Sequence, residues 1–224
     1  MRCFVFRALV GAVAPGIHVF FIAIFLHAAE VGERKWDFES GAVDQPPAGF
    51  SFERTGSGRP GRWLIKAEKD APSGAHVLAQ LDTDSTSYRF PIAVAEELSL
   101  RDFRLAVRCK PMSGKVDQAC GVVFRYRDEN NYYVVRANAL EKNVRLYYVR
   151  NGDRRQFADW NGSVSSRVWH ELNVSANGDL FEIFWDGKKV IEARDKTFFE
   201  PGRIGLWTKA DSVTYFDDLI VEAR

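Results

Sequence analysis

The sequence predicts an all-β chain folded as a two-sheet antiparallel β-sandwich, and three observations carry that expectation. After Glu30, short runs of Val, Ile, Phe, Tyr and Trp alternate with clusters of Gly, Asn, Asp and Ser at spacings of about a dozen residues. Helical period rarely lasts beyond a turn or two. Asp186-Gly187 lies between the apolar runs FEIFW and KVIEA, which is a strong short hairpin signal because both residues accept the left-handed backbone of a tight turn.

The elements follow in order. WDFE, from Trp36, is the first strand-like stretch, and the Pro- and Gly-rich segment 45–61 reads as long loops. Candidate strands are 63–67, 76–81, 88–92, 103–110, 121–127, 132–138, 144–150, 156–160, 169–176, 180–185, 189–193, 203–209 and 214–222. Asn130-Asn131, Asn151-Gly152 and Asn177-Gly178 mark further reversals. The only fair helical stretch is 93–100. About a dozen antiparallel strands exceed an immunoglobulin sandwich and suit a jelly roll. With no repeat and no second composition regime, residues 30–224 read as one domain.

The first 29 residues differ in kind. Arg2 and Arg7 precede a run from Ala8 to Leu26 without charge, followed by small residues at Ala28 and Ala29. A positive start, an apolar run and a small-residue exit are the parts of a secretory signal peptide. The same run is long enough to serve instead as a membrane anchor. Either way the domain is expected outside the cytoplasm, periplasmic or extracellular, with a membrane tether as the alternative to release. Lys and Arg total 31 against 30 Asp and Glu, so no basic excess attracts nucleic acid. Cys109 and Cys120 bracket a polar loop between two strands. Antiparallel pairing of those strands would bring them into a disulfide; two reduced, buried cysteines are the competing reading.

Three stretches carry a resemblance. CGVVFRYRDENNYYVVRANALEKNVRLYYV has a strand, an acidic-Asn turn and a second strand; VWHELNVSANGDLFEIFWDGKKV has Trp, strand, Gly turn, strand and Asp-Gly; GRIGLWTKADSVTYFDDLIV ends the chain on an Asp-Asp-Leu strand. Together they resemble the concanavalin A-like superfamily, including its laminin G-type members, and are similar to bacterial 3-keto-disaccharide hydrolase-like domains related to family 16 glycoside hydrolases. The resemblance implies a jelly roll whose concave sheet binds glycan. It also implies two alternatives: hydrolysis of a disaccharide or glucan, or a laminin G-like protein-protein surface. The related hydrolase-like group shows a Gln and His pair in the strand where this chain has Trp207 and Lys209, a departure that bears on the hydrolytic alternative and leaves sugar binding open.

The residues themselves assign no catalytic group. Glu182 and Asp186 stand four apart on one strand, roughly 13 Å at about 3.3 Å per residue, whereas a retaining glycosidase needs its carboxyls about 5–5.5 Å apart. His170-Glu171 lacks the second His of a zinc protease, and the Gly56–Gly61 glycines follow no strand. Alternation instead gathers Arg125, Arg136, Asn138, Tyr147, Trp207 and Lys209 onto one sheet face, with Trp160 at its rim. Aromatic rings stack on the apolar faces of sugars while Arg, Asn and Lys bond hydroxyls, so these seven are the candidate ligand residues. Their competing role is as the solvated face of an antiparallel sheet. Asp37 near the first strand and Asp217-Asp218 on the last are candidate ligands for a structural Ca²⁺, with turn and cap roles as the alternative. No other cofactor is expected.

Overall fold

A computed structural model describes residues 32–224; the expected leader, residues 1–29, lies outside the described residues. In chain order the strands are β1 (Arg34–Trp36), β2 (Phe50–Gly56), β3 (Trp63–Ala67), β4 (His76–Gln80) and β5 (Arg89–Leu100). They continue with β6 (Phe103–Ser113), β7 (Ala119–Asp128), β8 (Asn131–Asn138), β9 (Asn143–Arg150) and β10 (Asp153–Asn161). The last are β11 (His170–Asn177), β12 (Leu180–Trp185), β13 (Lys188–Arg194), β14 (Gly202–Trp207) and β15 (Val213–Ala223). Every pairing is antiparallel. One sheet of eight strands runs β13-β12-β11-β6-β15-β4-β3, with β1 beside β15; the other, of seven, runs β10-β9-β8-β7-β14-β5-β2. This is the predicted two-sheet sandwich.

The expected turns form. Asn151 and Gly152 have φ 52° and 82° between β9 and β10, the geometry of a two-residue hairpin turn, and Asp186-Gly187 joins β12 to β13. Two expectations fail. Residues 93–100 are strand, not helix, because β5 is paired on both sides, to β2 and β14, and its Ala93, Val94 and Ala95 are fully buried. Tertiary pairing overrides the helix preference of Ala, Glu and Leu. The segment 45–61 also holds β2, whose Phe50 and Phe52 pack on the core.

The two sheets differ in pattern. β12 alternates buried and half-buried residues, as a sheet with one face on the core and one toward water should. β7 is buried from Ala119 through Tyr126 and β8 from Tyr132 through Asn138. Their inward residues, among them Val122, Phe124, Tyr133 and Val135, meet the eight-stranded sheet in the main core. Their outward residues, including Val123, Tyr132 and Val134, join Phe90, Ile92, Tyr147 and Trp207 in a second apolar cluster on the far side of the seven-stranded sheet.

β7 is tied across the sandwich at both ends. Cys120, at its start, is disulfide-bonded to Cys109 of β6 in the other sheet, with a Cα–Cα distance of 6.2 Å. The two strands do not pair with each other as expected; the short 114–118 connection crosses between sheets, and the bond is an inter-sheet staple through the core. At the other end the Arg125 guanidinium, wholly buried, donates to the carbonyls of Arg101, Gly178 and Phe198 at 2.5–3.0 Å.

Replacing both cysteines by alanine should lower unfolding stability by roughly 3 kcal/mol, the loop-closure value for a bridge of this span. Urea titration of the variant and the parent under oxidising conditions checks this; equal midpoints would show that the staple adds nothing.

Candidate functional site

Register places the outer face of the seven-stranded sheet residue by residue. Across β8, β9 and β10, Val134 lies opposite Tyr147, which lies opposite Gln156; Arg136 lies opposite Arg145, which lies opposite Asp159. On the other side Arg136 faces Gly121, which faces Trp207 of β14. Gly121 is required there: a Cβ would fall 2.9 Å from that of Arg136 and 2.7 Å from the Val135 carbonyl. The Asn151-Gly152 turn sets Val149 opposite Arg154, which brings Arg154 to the same face.

Aromatic rings form the floor. Phe90 and Trp207 lie 5.2 Å apart, and Tyr147 adds its ring at 5% exposure while Trp207 has none. Arg154 roofs them: its guanidinium carbon stands 4.5 Å from the Tyr147 ring centre, 4.6 Å from Phe90 and 6.0 Å from Trp207. Tyr88 closes that end, donating its hydroxyl to the Gly152 carbonyl at 2.6 Å and accepting the Arg154 N–H at 2.9 Å.

Beside this roof lies a polar cluster. Arg136 donates to Glu141 Oε2 at 2.7 Å, to Asn143 Oδ1 at 2.6 Å and to the Tyr147 hydroxyl at 3.2 Å. Burial pushes the Glu141 carboxyl up, but the hydrogen bond and charge of Arg136 outweigh it and hold the group below its ordinary value. Lys209 bonds Asp117 Oδ2 at 2.6 Å, and Asn138 donates to Asp117 Oδ1 at 2.7 Å. Burial nevertheless leaves the Asp117 carboxyl raised, against the pull of Lys209 and Arg136. Arg145 donates to Gln156 at 2.9 Å and is a third exposed. Three guanidinium donors of this face, Nε of Arg136, Nε of Arg145 and Nη1 of Arg154, are buried without an acceptor among the described residues, as is the indole N–H of Trp207 beneath them. Burial pushes the Arg154 guanidinium down.

The structure therefore brings together Arg136, Asn138, Tyr147, Trp207 and Lys209 and separates two of the seven. Arg125 does not share this face. A bulge between Phe124 and Asp128, with Arg125 at φ 46°, reverses the alternation, sending Arg125 to the opposite sheet's loops and Tyr126 outward. Trp160 pairs with core-facing Val144 and packs on the main core under Lys188, at the edge between β10 and β13. Trp207 is on the face but sealed beneath it, and Asn138 is consumed by Asp117 and by the backbone N–H groups of Leu140 and Glu141. Arg154, Glu141 and Asn143 were not anticipated. Arg154 was within reach, since a two-residue turn at Asn151-Gly152 obliges it to sit beside Val149 on the Tyr147 face. Glu141 and Asn143 lie at a turn without a periodic signal.

The candidate calcium acids sit where β15 changes partner, from β4 at Thr214–Phe216 to β1 at Leu219–Val221. Asp217 accepts the N–H groups of Ser73 and Asp218 at 3.1 and 2.7 Å. Asp218 pairs with Lys35 at 2.8 Å, and Asp37 accepts the Glu39 N–H at 3.2 Å. Each has a local structural partner, and among the described residues no group of three or more His, Cys, Asp and Glu is arranged to hold a metal.

The fold is an all-β sandwich of two antiparallel sheets, of eight and seven strands, with β7 tied across both. Among solved structures, the carbohydrate-binding module CBM66 from Bacillus subtilis superposes with a TM-score of 0.59 at 22% identity, covering 77% of this chain and 95% of that one. The cellulose-induced protein Cip1 superposes with a TM-score of 0.62 at 10% identity, covering 85% and 97%. At such identities the likeness is one of fold. A levanase of Bacillus subtilis (strain 168) is 28% identical over 99 residues, which is 43% of this chain and 14% of the levanase. No family profile matches the chain.

Burial pushes the Asp217 carboxyl up to about 6, against the hydrogen bonds from Ser73 and Asp218. A folded-state value above the unfolded one means the folded protein takes up the proton first, so this group adds stability as pH falls from about 6 towards 4, at most about 1.4 kcal/mol per unit. Relative to Asp217→Asn, the parent should gain stability between pH 7 and pH 4.5 in urea unfolding; a constant difference would contradict the shift.

Proposed function

We propose that this chain is an extracytoplasmic carbohydrate-binding domain whose saccharide lies on the outer face of the seven-stranded sheet, against the guanidiniums of Arg136, Arg145 and Arg154 that cover and flank Tyr147. The observation that carries the reading is the set of unmet guanidinium donors on that face, next to aromatic rings. Unpaired buried donors cost about 1–3 kcal/mol each, and a hydroxyl-rich ligand supplies the acceptors. Tyr147 already accepts from Arg136, which leaves its own O–H free to donate.

Further support comes from outside the site. The fold is shared with a carbohydrate-binding module, and the matched levanase carries a related stretch. The disulfide and the apolar N-terminal sequence both suit an oxidising compartment beyond the membrane. The reading assigns binding and no hydrolysis: Asp117 is locked onto Lys209 and Asn138 and is not free to act as half of a carboxylate pair.

The test is a glycan array followed by calorimetry on the best saccharide. Arg145→Ala should weaken binding about tenfold, the value of one or two lost hydrogen bonds, with an unchanged melting temperature. Arg104→Ala is the control, since Arg104 lines a shallow depression of about 500 Å³ on the outer face of the eight-stranded sheet. Loss of binding in the Arg104 variant with full binding in the Arg145 variant would place the ligand on the wrong sheet for this proposal.

A further inference from the structure

The fold shows how it satisfies a buried guanidinium when the role is structural. Arg125 donates to three backbone carbonyls and stands 3.6 Å from Asp102. Arg89, also fully buried, donates to the carbonyls of Arg59, Pro60 and Ala210 and pairs with Asp82 at 2.8 Å. Each is surrounded by acceptors, as a desolvated cation must be.

Arg154 departs from that pattern. Its guanidinium lies over three rings, and among the described residues it has no side-chain hydrogen bond and no carboxylate partner. Cation-π attraction offsets part of the cost, yet Nη1 is sealed from water with nothing to bond. The neighbouring cations are compensated: Arg136 has Glu141 and Lys209 has Asp117. Arg145 stands 4.0 Å from the same Glu141, so Arg154 is the member of this cluster with no carboxylate within salt-bridge distance among the described residues. It stands above the Tyr147 ring, whose hydroxyl is oriented by Arg136. A planar fork of donors over an aromatic ring matches a planar or tetrahedral anion carried on a sugar.

We propose that the saccharide bound on this face is acidic, and that its carboxylate or sulfate ester pairs with Arg154. This rests on the reading of the face as a saccharide site. It goes beyond that reading by naming the ligand's charge and the side chain that selects it.

Calorimetric titration of the full chain with four probes tests it: a uronic-acid oligosaccharide, its methyl ester, a sulfated oligosaccharide, and the neutral parent of the sulfated one. At least one acidic probe should bind about tenfold or more tightly than its uncharged counterpart, the scale of one charge-assisted contact, and its affinity should fall as salt rises. Which acidic probe binds identifies carboxylate or sulfate as the source. Arg154→Met keeps an apolar stem over the rings and should bind charged and uncharged probes alike. Equal binding of charged and uncharged probes by the parent protein overturns the acidic-ligand proposal while leaving saccharide binding in place, and that comparison needs no variant to fold. Binding of none of the four, with a blank glycan array, overturns both.

Discussion

The central strands β7, β8 and β14 of the seven-stranded sheet are buried on both faces although only one of these faces has a second sheet against it. The other carries Phe90, Ile92, Val123, Tyr132, Val134, Tyr147 and Trp207, and it is closed by side chains. Arg154 lies over three of the rings, Arg136 over Tyr147, and Arg203 over Tyr126 at 5.2 Å. Long basic side chains cover apolar surface with their stems while their heads keep polar contacts at the edge. An aromatic layer roofed in this way is water-poor and rich in donors. The candidate site is a consequence of that arrangement, since Arg136 and Arg154 both cover the layer and keep a guanidinium N–H without an acceptor.

β7 makes the two-sided sheet possible. Its ends are fixed to the opposite sheet, by Cys120 to Cys109 at one end and by Arg125 to three carbonyls at the other. Between them the strand keeps strict alternation, and Gly121 lets β8 approach closely at Val135 and Arg136. The bulge at Arg125 then reverses the alternation once, which gives the sandwich end its arginine tie and the outer layer its Tyr126. One irregular residue serves both faces.

Much of the fold was legible. The turn pairs Asn151-Gly152 and Asp186-Gly187 sit where left-handed backbone is needed, and the apolar runs of β6 to β9 and β11 to β15 fall between them. What was not legible followed from tertiary context. The second part of β5, residues 93–100, reads locally as helix and is held extended by its neighbours β2 and β14; β2 is short and lies among glycines and prolines. At the site, Arg136, Asn138, Tyr147, Trp207 and Lys209 follow from plain alternation. Arg125 fails because nothing in CGVVFRYRDE announces a bulge. Trp207 and Trp160 look like exposed sugar platforms only when the sheet is taken to have one wet face. The unbroken apolar stretch YYVV of β8 was the available sign that both faces are covered.

We propose that the ligand face is the arginine-roofed face of the seven-stranded sheet. Side-chain ¹⁵N NMR of the arginines, recorded during titration with the saccharide that binds best, tests it most directly. The Nε–H signals of Arg136, Arg145 and Arg154 should shift with saturation while those of Arg89, Arg104 and Arg125 stay fixed. Shifts confined to Arg104, on the outer face of the eight-stranded sheet, would contradict it.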